Sequence, residues 1–240
     1  MQISVVIPVC NEAGNIAPLA REIQTALIDH RPFEIIFVDD GSTDDTAAAV
    51  RAARDAGIAE IRLLQHSRRA GQSAALCSGV DAARAEWVAT LDGDGQNDPA
   101  DIPVLWKALI AAREPRLKLV IGNRTVRRDT WLRRASSRVA NVVRGRLLRD
   151  GTPDTGCGIK VMHRATFLQL PRFSHMHRFL PALFQRGGAR VLSIPVRHRA
   201  RTHGVSKYGM HDRLWVGIVD LFGVGWLIMR TPPDVQITER

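Results

Sequence analysis

The sequence predicts an α/β fold built on a mostly parallel central sheet flanked by helices. Three observations carry this expectation. Short, continuous runs of β-branched and aliphatic residues alternate with stretches of helical periodicity through the first half of the chain. Polar and acidic residues gather directly after several of those runs, where open parallel sheets hold their ligands. At 240 residues and 45% hydrophobic composition, the chain can bury one large core.

The elements follow in order. "ISVVIPV" (3–9) is an apolar run of the kind that forms a strand buried on both faces. Ile16, Leu19, Ala20, Ile23 and Leu27 then recur at helical spacing. "FEIIFVDD" (33–40) predicts a second strand, followed by a helix with Thr43 or Asp44 as N-cap and Gly57 as its stop. "EIRLLQ" (60–65) predicts a third strand, "GQSAALCSGVDAARA" (71–85) a helix rich in small residues, and "EWVATLD" (86–92) a fourth strand. A helix over 101–113 and a strand over 118–123 complete the regular part. The second half is less periodic. It suggests a basic helix over 129–149, a strand over 190–198, a basic loop over 201–213 and an amphipathic segment over 210–229. We read 1–209 as one domain and 210–240 as a membrane-proximal segment and tail.

The formal net charge is +10 with a pI near 10.8, which points to an anionic partner. The excess is local: residues 113–149 hold eleven arginines and Lys118 against only Glu114 and Asp129. Three cysteines, Cys10, Cys77 and Cys157, without metal-ligand spacing, fit a reducing compartment better than a disulfide framework. The N-terminus enters a strand pattern with no signal-peptide pattern. No run of 18 apolar residues exists; the nearest, 214–229, is broken by Asp220 and three glycines.

The chemistry sits at the strand ends. In "LDGDGQ", Asp92 and Asp94 on a glycine-flanked turn place two carboxylates within reach of one hard cation, Mg²⁺ or Mn²⁺, whose remaining positions take water and phosphate oxygens. Gln96 adds a neutral oxygen, and Gly93 and Gly95 keep the turn unobstructed. An ordinary Asp-Gly turn would also account for the pattern taken alone. "FVDDGSTDD" places Asp39 and Asp40 at a second strand end, where an acidic residue can accept hydrogen bonds from a ribose or a base. N-capping explains one of Asp44 and Asp45 but neither Asp39 nor Asp40. "IPVCNE" adds Asn11 and Glu12 at a third strand end, Glu12 being open to a second reading as a first-turn helix charge.

In this order and spacing, "VVIPVCNE", "VDDGSTD", "LDGDGQ", "GNR" and "RTHGVSKY" resemble the family 2 glycosyltransferases, and within them the polyprenyl-phosphate, dolichol-phosphate mannosyltransferase-like branch. The resemblance runs from about residue 3 to 210. It implies a GT-A fold, a GDP- or UDP-linked sugar donor, a divalent metal and inverting transfer to a polyprenyl phosphate. It also implies a cytoplasmic enzyme attached peripherally to the inner membrane face, through the lipid surface or a small membrane partner. Carried over by position, Pro8, Asn11, Glu12, Asp39, Asp40, Gly71 and Asp92 would contact the nucleotide sugar. Asp92, Asp94 and Gln96 would hold the metal. Arg124 would lie by the phosphates, and Arg201 and Lys207 would grip the leaving diphosphate and the acceptor phosphate. Asp154, in "DTGCG", falls on an acidic family position, as orienter before base. Arg133 and Ser137, in "LRRASS", fall on the acceptor loop, and His177 and Arg178, in "HMHR", are further acceptor candidates. Cys10 and Cys157 depart from the family pattern, which has an aromatic and a serine there.

Other readings weigh less. A saccharide or soluble hydroxyl acceptor fits poorly with the "SKY" loop and a basic, tryptophan-flanked C-terminal segment. Nucleic acid is not expected as a partner, because one Tyr and seven Phe give no stacking runs and the acidic strand ends would stay unexplained. Six histidines from His163 to His211 form no zinc framework. Segment 214–229, with Trp215 and Trp226 between Arg213 and Arg230, suits either an interfacial helix or an ordinary core helix.

Overall fold

The computed structural model describes residues 2–124, 145, 147, 148, 150–200 and 210–231. Its strands are β1 (Ile3–Val9), β2 (Phe33–Asp39), β3 (Ile61–Gln65), β4 (Trp87–Thr90), β5 (Leu117–Arg124), β6 (Lys160–His163) and β7 (Arg190–Val196). Its helices are α1 (Ala13–Ala26), α2 (Thr46–Asp55), α3 (Gln72–Ala82), α4 (Asp101–Ala112), α5 (Arg164–Leu168), α6 (Leu180–Arg186) and α7 (Met210–Met229). The seven strands form one sheet in the order β3-β2-β1-β4-β6-β5-β7.

Pairing is parallel throughout except at β6, which runs antiparallel to both β4 and β5. The sequence suggested no strand at 160–163. A four-residue segment opening on a lysine has no period of its own, and it becomes a strand because partners flank it on both sides. Pro195 interrupts no ladder, since β7 is an edge strand.

The apolar runs read as doubly buried strands are so. On β1, Ile3, Val5, Ile7 and Val9 face a core under α1, α2 and α4, whereas Val6 faces a second core under α3, α5 and α6. On β2, Phe33, Ile35 and Phe37 join the first core, and Ile36 and Val38 the second. Strand alternation at both faces explains why these runs are almost continuously apolar.

Boundaries shift where polar side chains take over. The second helix begins at Thr46 with Asp45 as N-cap, one or two residues later than expected, because the Asp44 carboxylate accepts from the Thr46 N–H (3.0 Å) and hydroxyl (2.5 Å) in a turn of its own. The fourth strand stops at Thr90, since Leu91 and Asp92 already belong to the turn. Helix α7 spans the 210–229 read as an amphipathic segment, and its first turn overlaps the end of the expected basic loop. Most of the basic helix expected at 129–149 and of the loop at 201–213 lies outside the described residues; Gly145, Leu147 and Leu148 are helical.

One buried charge ties the lower sheet together. Glu34, 3% exposed, accepts from the Ser4 hydroxyl (2.6 Å), the Arg84 N–H (2.7 Å) and Arg62. Burial alone would raise its pKa; the Ser4, Arg84 and Arg62 contacts outweigh it and hold the carboxyl below the ordinary range. Glu34→Gln is expected to cost about 1.5–3 kcal/mol in a urea titration at neutral pH. A depressed folded pKa stabilises above the unfolded value of about 4.3 and is lost as pH falls through the folded one. The difference between native protein and variant should therefore close in acid, and a difference independent of pH would contradict this account.

Candidate active site

Strands β1 and β4 are neighbours, but the chain leaves β1 toward β2 and β3 and returns to form β4 on the other side. Such a reversal opens a crevice at the carboxyl ends, because the two connections diverge there. The turns after β1, β2 and β4 all face this rim.

Asp92 and Asp94 stand on the turn after β4. The Asp92 N–H donates to Asn97 Oδ1 (3.0 Å), and the Gln96 N–H donates to Asp94 Oδ1 (3.1 Å). A Cβ at Gly93 would lie 2.6 Å from Val9 Cγ1 and 3.1 Å from the Pro8 carbonyl oxygen, so the turn seats directly on the end of β1. Asp92 is half-buried, with Gln72 Nε2 donating to its Oδ1 at 2.9 Å from the first turn of α3. Its other oxygen faces Gly158: a Cβ there would sit 2.2 Å from Asp92 Oδ2 and 2.5 Å from Asn97 Oδ1. The Thr90 hydroxyl holds that wall by donating to the Gly158 carbonyl (2.7 Å).

Burial and the neighbouring Asp94 charge raise the Asp92 pKa above the ordinary carboxylate range, against the pull of Lys160, Arg124 and the Gln72 hydrogen bond. Two carboxylates in mutual repulsion on an accessible turn suit a divalent cation. Among the described residues no group of three or more His, Cys, Asp or Glu side chains is arranged to hold a metal. A cation on this turn would therefore rely on substrate and water oxygens for much of its shell, which is how Mg²⁺ and Mn²⁺ are held beside phosphates. The residues fit such an ion.

Cationic groups line the floor. Arg124, at the end of β5, grips Asp154 through Nε–Oδ2 (2.7 Å) and Nη2–Oδ1 (2.8 Å), a bidentate pair around a carboxylate only 4% exposed. Lys160, first residue of β6 and 5% exposed, donates to the Cys157 carbonyl. Burial lowers its pKa, while Cys157, Asp92 and Asp154 favour the charged form. On the far side, Ser73 Oγ and His177 Nδ1 lie 2.7 Å apart. Burial, then Lys160, Arg178 and His175, push the His177 pKa down to about 3, so the imidazole is neutral at physiological pH.

The nucleotide-side candidates are held by one another. Asn11, at φ 53°, donates its N–H to Ser42 Oγ (2.9 Å) and accepts from the Thr43 N–H (2.8 Å). Glu12 takes Asn15 Nδ2 on Oε2 (2.7 Å), and the Ser42 N–H donates to Asp39 Oδ1 (3.0 Å). Asp40 accepts from the N–H groups of Ala70 (2.8 Å) and Gly71 (2.7 Å) and meets His66 Nδ1 at 2.8 Å, drawing the start of α3 against the end of β2. Pro8, Asn11, Glu12, Asp39, Asp40, Gly71, Asp92, Asp94 and Gln96 thus share one rim, with Arg124 and Asp154 below and His177 opposite. Arg133, Ser137, Arg201 and Lys207 lie outside the described residues. Sequence reasoning missed Gln72, Ser73, Asn97, Gly158 and Lys160. Gly158 closes the stretch "DTGCG" singled out for Asp154 and Lys160 stands two residues beyond it, but the approach of Gly158 to Asp92 and Asn97 is made across the fold.

A family model described as glycosyl transferase family 2 matches residues 4–170, more than half of the chain. The chain belongs to the family 2 glycosyltransferases. Among curated relatives, a dodecaprenyl-phosphate galacturonate synthase of Rhizobium johnstonii is 37% identical over 230 residues, covering 93% of this chain and 66% of the relative. An undecaprenyl-phosphate 4-deoxy-4-formamido-L-arabinose transferase of Edwardsiella ictaluri is 32% identical over 209 residues, covering 87% and 63%. The chain therefore spans less than two thirds of either relative. Two solved structures share the GT-A fold. One is the mannosyltransferase PcManGT of Pyrobaculum calidifontis in complex with GDP-Man and Mn²⁺ (TM-score 0.72, 22% identity, covering 97% of this chain and 66% of that one). The other is glucosyl-3-phosphoglycerate synthase of Mycobacterium tuberculosis with Mn²⁺, UDP and glucosyl-3-phosphoglycerate (TM-score 0.70, 20% identity, covering 97% and 81%). As the motifs implied, the fold is GT-A.

Proposed function

We propose that this glycosyltransferase moves a sugar from a GDP- or UDP-linked donor to a polyprenyl phosphate, with inversion, at the cytoplasmic face of a membrane. The Asp92–Asp94 turn at the sheet's reversal point carries this reading. It offers two carboxylates and an open approach where a nucleoside diphosphate would lie, and Mg²⁺ or Mn²⁺ bound there would neutralise charge on the departing diphosphate.

The chain's own groups divide the remaining work. Asn11, Glu12 and Asp39 line the nucleoside side, and Asp40 with Gly71 fixes the loop beside them. Lys160 and Arg124 set positive potential under the diphosphate in a partly dry cleft, where such charges act more strongly than in water. Gln72 and Asn97 orient Asp92, and Gln96 remains a candidate for the metal's outer ligands. Arg201 and Lys207 are assigned to the leaving and acceptor phosphates, and Arg133, Ser137, His177 and Arg178 to the acceptor.

The acceptor class follows from what the site offers as a base. Asp154 is committed to Arg124 through both oxygens, which leaves it poorly placed to take a proton. A phosphate acceptor with a second pKa of about 6 is already largely ionised at neutral pH and needs no base. A sugar hydroxyl would need one. Both curated relatives carry polyprenyl phosphates in their names, which supports the same choice.

The test is transfer of radiolabelled sugar from a panel of nucleotide sugars to polyprenyl phosphate, scored by partition into organic solvent. Label should enter the organic phase with Mn²⁺ or Mg²⁺ present and fall to background with a chelator. Label that stays aqueous with every donor would overturn the lipid acceptor, and transfer indifferent to chelation would overturn the metal.

A further inference from the structure

Ser73 and His177 are joined by two hydrogen bonds that together fix where the imidazole keeps its proton. Ser73 Oγ lies 2.7 Å from His177 Nδ1, and the His177 backbone N–H donates to the same oxygen at 3.3 Å. Ser73, the second residue of α3, is 6% exposed, so its hydroxyl hydrogen needs an acceptor within the protein. Among the described residues that acceptor is Nδ1. Were the proton on Nδ1 instead, Oγ would accept from both neighbours and a buried hydroxyl hydrogen would be left over. The neutral ring therefore carries its proton on Nε2. That N–H donates to nothing among the described residues, and His177 is half-buried, which leaves the donor open to the cleft.

The donor stands where a nucleophile would enter. Gln72 and Ser73 are consecutive, so their side chains leave α3 about 100° apart; the first holds Asp92 and the second His177. Lys160 acts electrostatically on both Asp92 and His177, so the metal turn and the ring share one cleft. In an inverting displacement the nucleophile enters on the face of the sugar opposite the departing group, and His177 lies across the cleft from the turn that would hold the departing diphosphate. A histidine beside a phosphate is ordinarily a proton exchanger, because a free imidazole near about 6.5 and a phosphate monoester near about 6 titrate over the same range. Here burial, Lys160 on β6, and Arg178 and His175 on the ring's own turn all oppose a second proton. Ser73, from α3, adds a geometric bar: a proton on Nδ1 would make that nitrogen a donor and strand the hydroxyl hydrogen.

We propose that Ser73 is a positioning residue that fixes His177 as its Nε2–H tautomer, and that this N–H hydrogen-bonds one oxygen of the acceptor phosphate, orienting the nucleophile without protonating it. Another oxygen of the same phosphate then forms the bond to the anomeric carbon while the bond from that carbon to the diphosphate breaks. The electron pair leaves with the diphosphate, and no proton moves. The proposal rests on the phosphate-acceptor reading above and adds to it the pair that aims the attacking group.

Two measurements on the full chain test it, and the first needs no substrate. Nitrogen NMR of histidine-labelled protein, with His177→Gln to assign the signal, distinguishes protonated from bare ring nitrogens. Native His177 should show a proton on Nε2 alone at neutral pH and still at pH 5, and Ser73→Ala should mix the two tautomers. The second is steady-state transfer to a short-chain isoprenyl phosphate in solution. Ser73→Ala and His177→Phe should each lower kcat/KM for this acceptor by about 10–100-fold, the loss of a hydrogen bond to a charged group. The donor KM and the Mn²⁺ affinity measured with nucleoside diphosphate should not move, which separates this role from one exerted through Gln72 and Asp92. His177→Gln, whose amide N–H falls near Nε2, should recover most of what His177→Phe loses. A native signal with the proton on Nδ1, or on both nitrogens, overturns the tautomer. Unchanged acceptor kinetics in Ser73→Ala, or a loss that appears in donor KM or Mn²⁺ affinity, overturns the positioning role. Failure of native protein to glycosylate any isoprenyl phosphate rejects the acceptor reading and the phosphate contact with it, whereas the NMR signal decides the Ser73–His177 tautomer in either case.

Discussion

Asp92→Asn is expected to lower sugar transfer by about 10²–10³-fold and, in metal-free protein at neutral pH, to raise the melting temperature. The two effects share a cause. Burial and Asp94 lift the Asp92 pKa in the folded state, whereas an unfolded chain ionises this carboxyl near its ordinary value of about 3.9. Below that value the group is protonated in both states and its contribution is neutral. As pH rises through the folded-state pKa, the native protein must carry a charge that its surroundings resist, and stability is lost. Asparagine keeps the shape and an oxygen to accept from Gln72 while removing that charge. At this chain length about 1 kcal/mol appears as roughly 2–4 °C, so melts with a chelator present should resolve the gain. The curves of variant and native protein should converge in acid. A lower melting temperature for the variant at neutral pH would show that Asp92 is a structural carboxylate and not one held in readiness for a cation. With donor and Mn²⁺ present the order should reverse, because bound ligand stabilises only the protein that can hold it.

Charge held at a cost is also what made the site legible in the sequence. A doubly buried strand has no use for carboxylates at its end, so Asp39, Asp40, Asp92 and Asp94 stood out against runs given over mainly to the core. Strands β1 and β2 were readable for the same reason, since burial on both faces leaves a local trace seven residues long. What escaped was whatever depends on the partner across the fold. Strand β6 owes its existence to β4 and β5. Asn97 resembles any loop asparagine until its oxygen is found on the Asp92 N–H. Lys160 sits in an apolar run where only topology reveals that it lies under the site. Helix α7 was recognisable by its length, but periodicity alone left an interfacial and a core helix equally open. Packing decides which face is spare.

Gly158 is the sharpest of these non-local cases. An alanine there would place a methyl carbon 2.2 Å from Asp92 Oδ2 and 2.5 Å from Asn97 Oδ1, far inside van der Waals contact. Neither neighbour yields easily. Asn97 is 2% exposed and anchors the turn through the Asp92 N–H, and the Gly158 carbonyl is held by Thr90. Relief comes most readily by rotating the Asp92 carboxylate, which breaks its alignment with Gln72 and Asp94. Gly158→Ala should therefore weaken Mn²⁺ binding in the presence of nucleoside diphosphate by about 10–100-fold, the usual cost of disturbing the groups behind a metal ligand, and reduce transfer at least as much. Gly156→Ala, two residues earlier, is the matched control. Its Cβ would meet nothing closer than Arg124 Nη2 at 3.5 Å, an ordinary contact, so calorimetric Mn²⁺ affinity and turnover should stay near native values. If both alanines behave alike, whether both tolerated or both inactive, the loop acts through its general fold. If only Gly158→Ala fails, and fails in metal affinity with the circular dichroism spectrum intact, the missing side chain at 158 is what lets a carboxylate on the turn after β4 face the cleft.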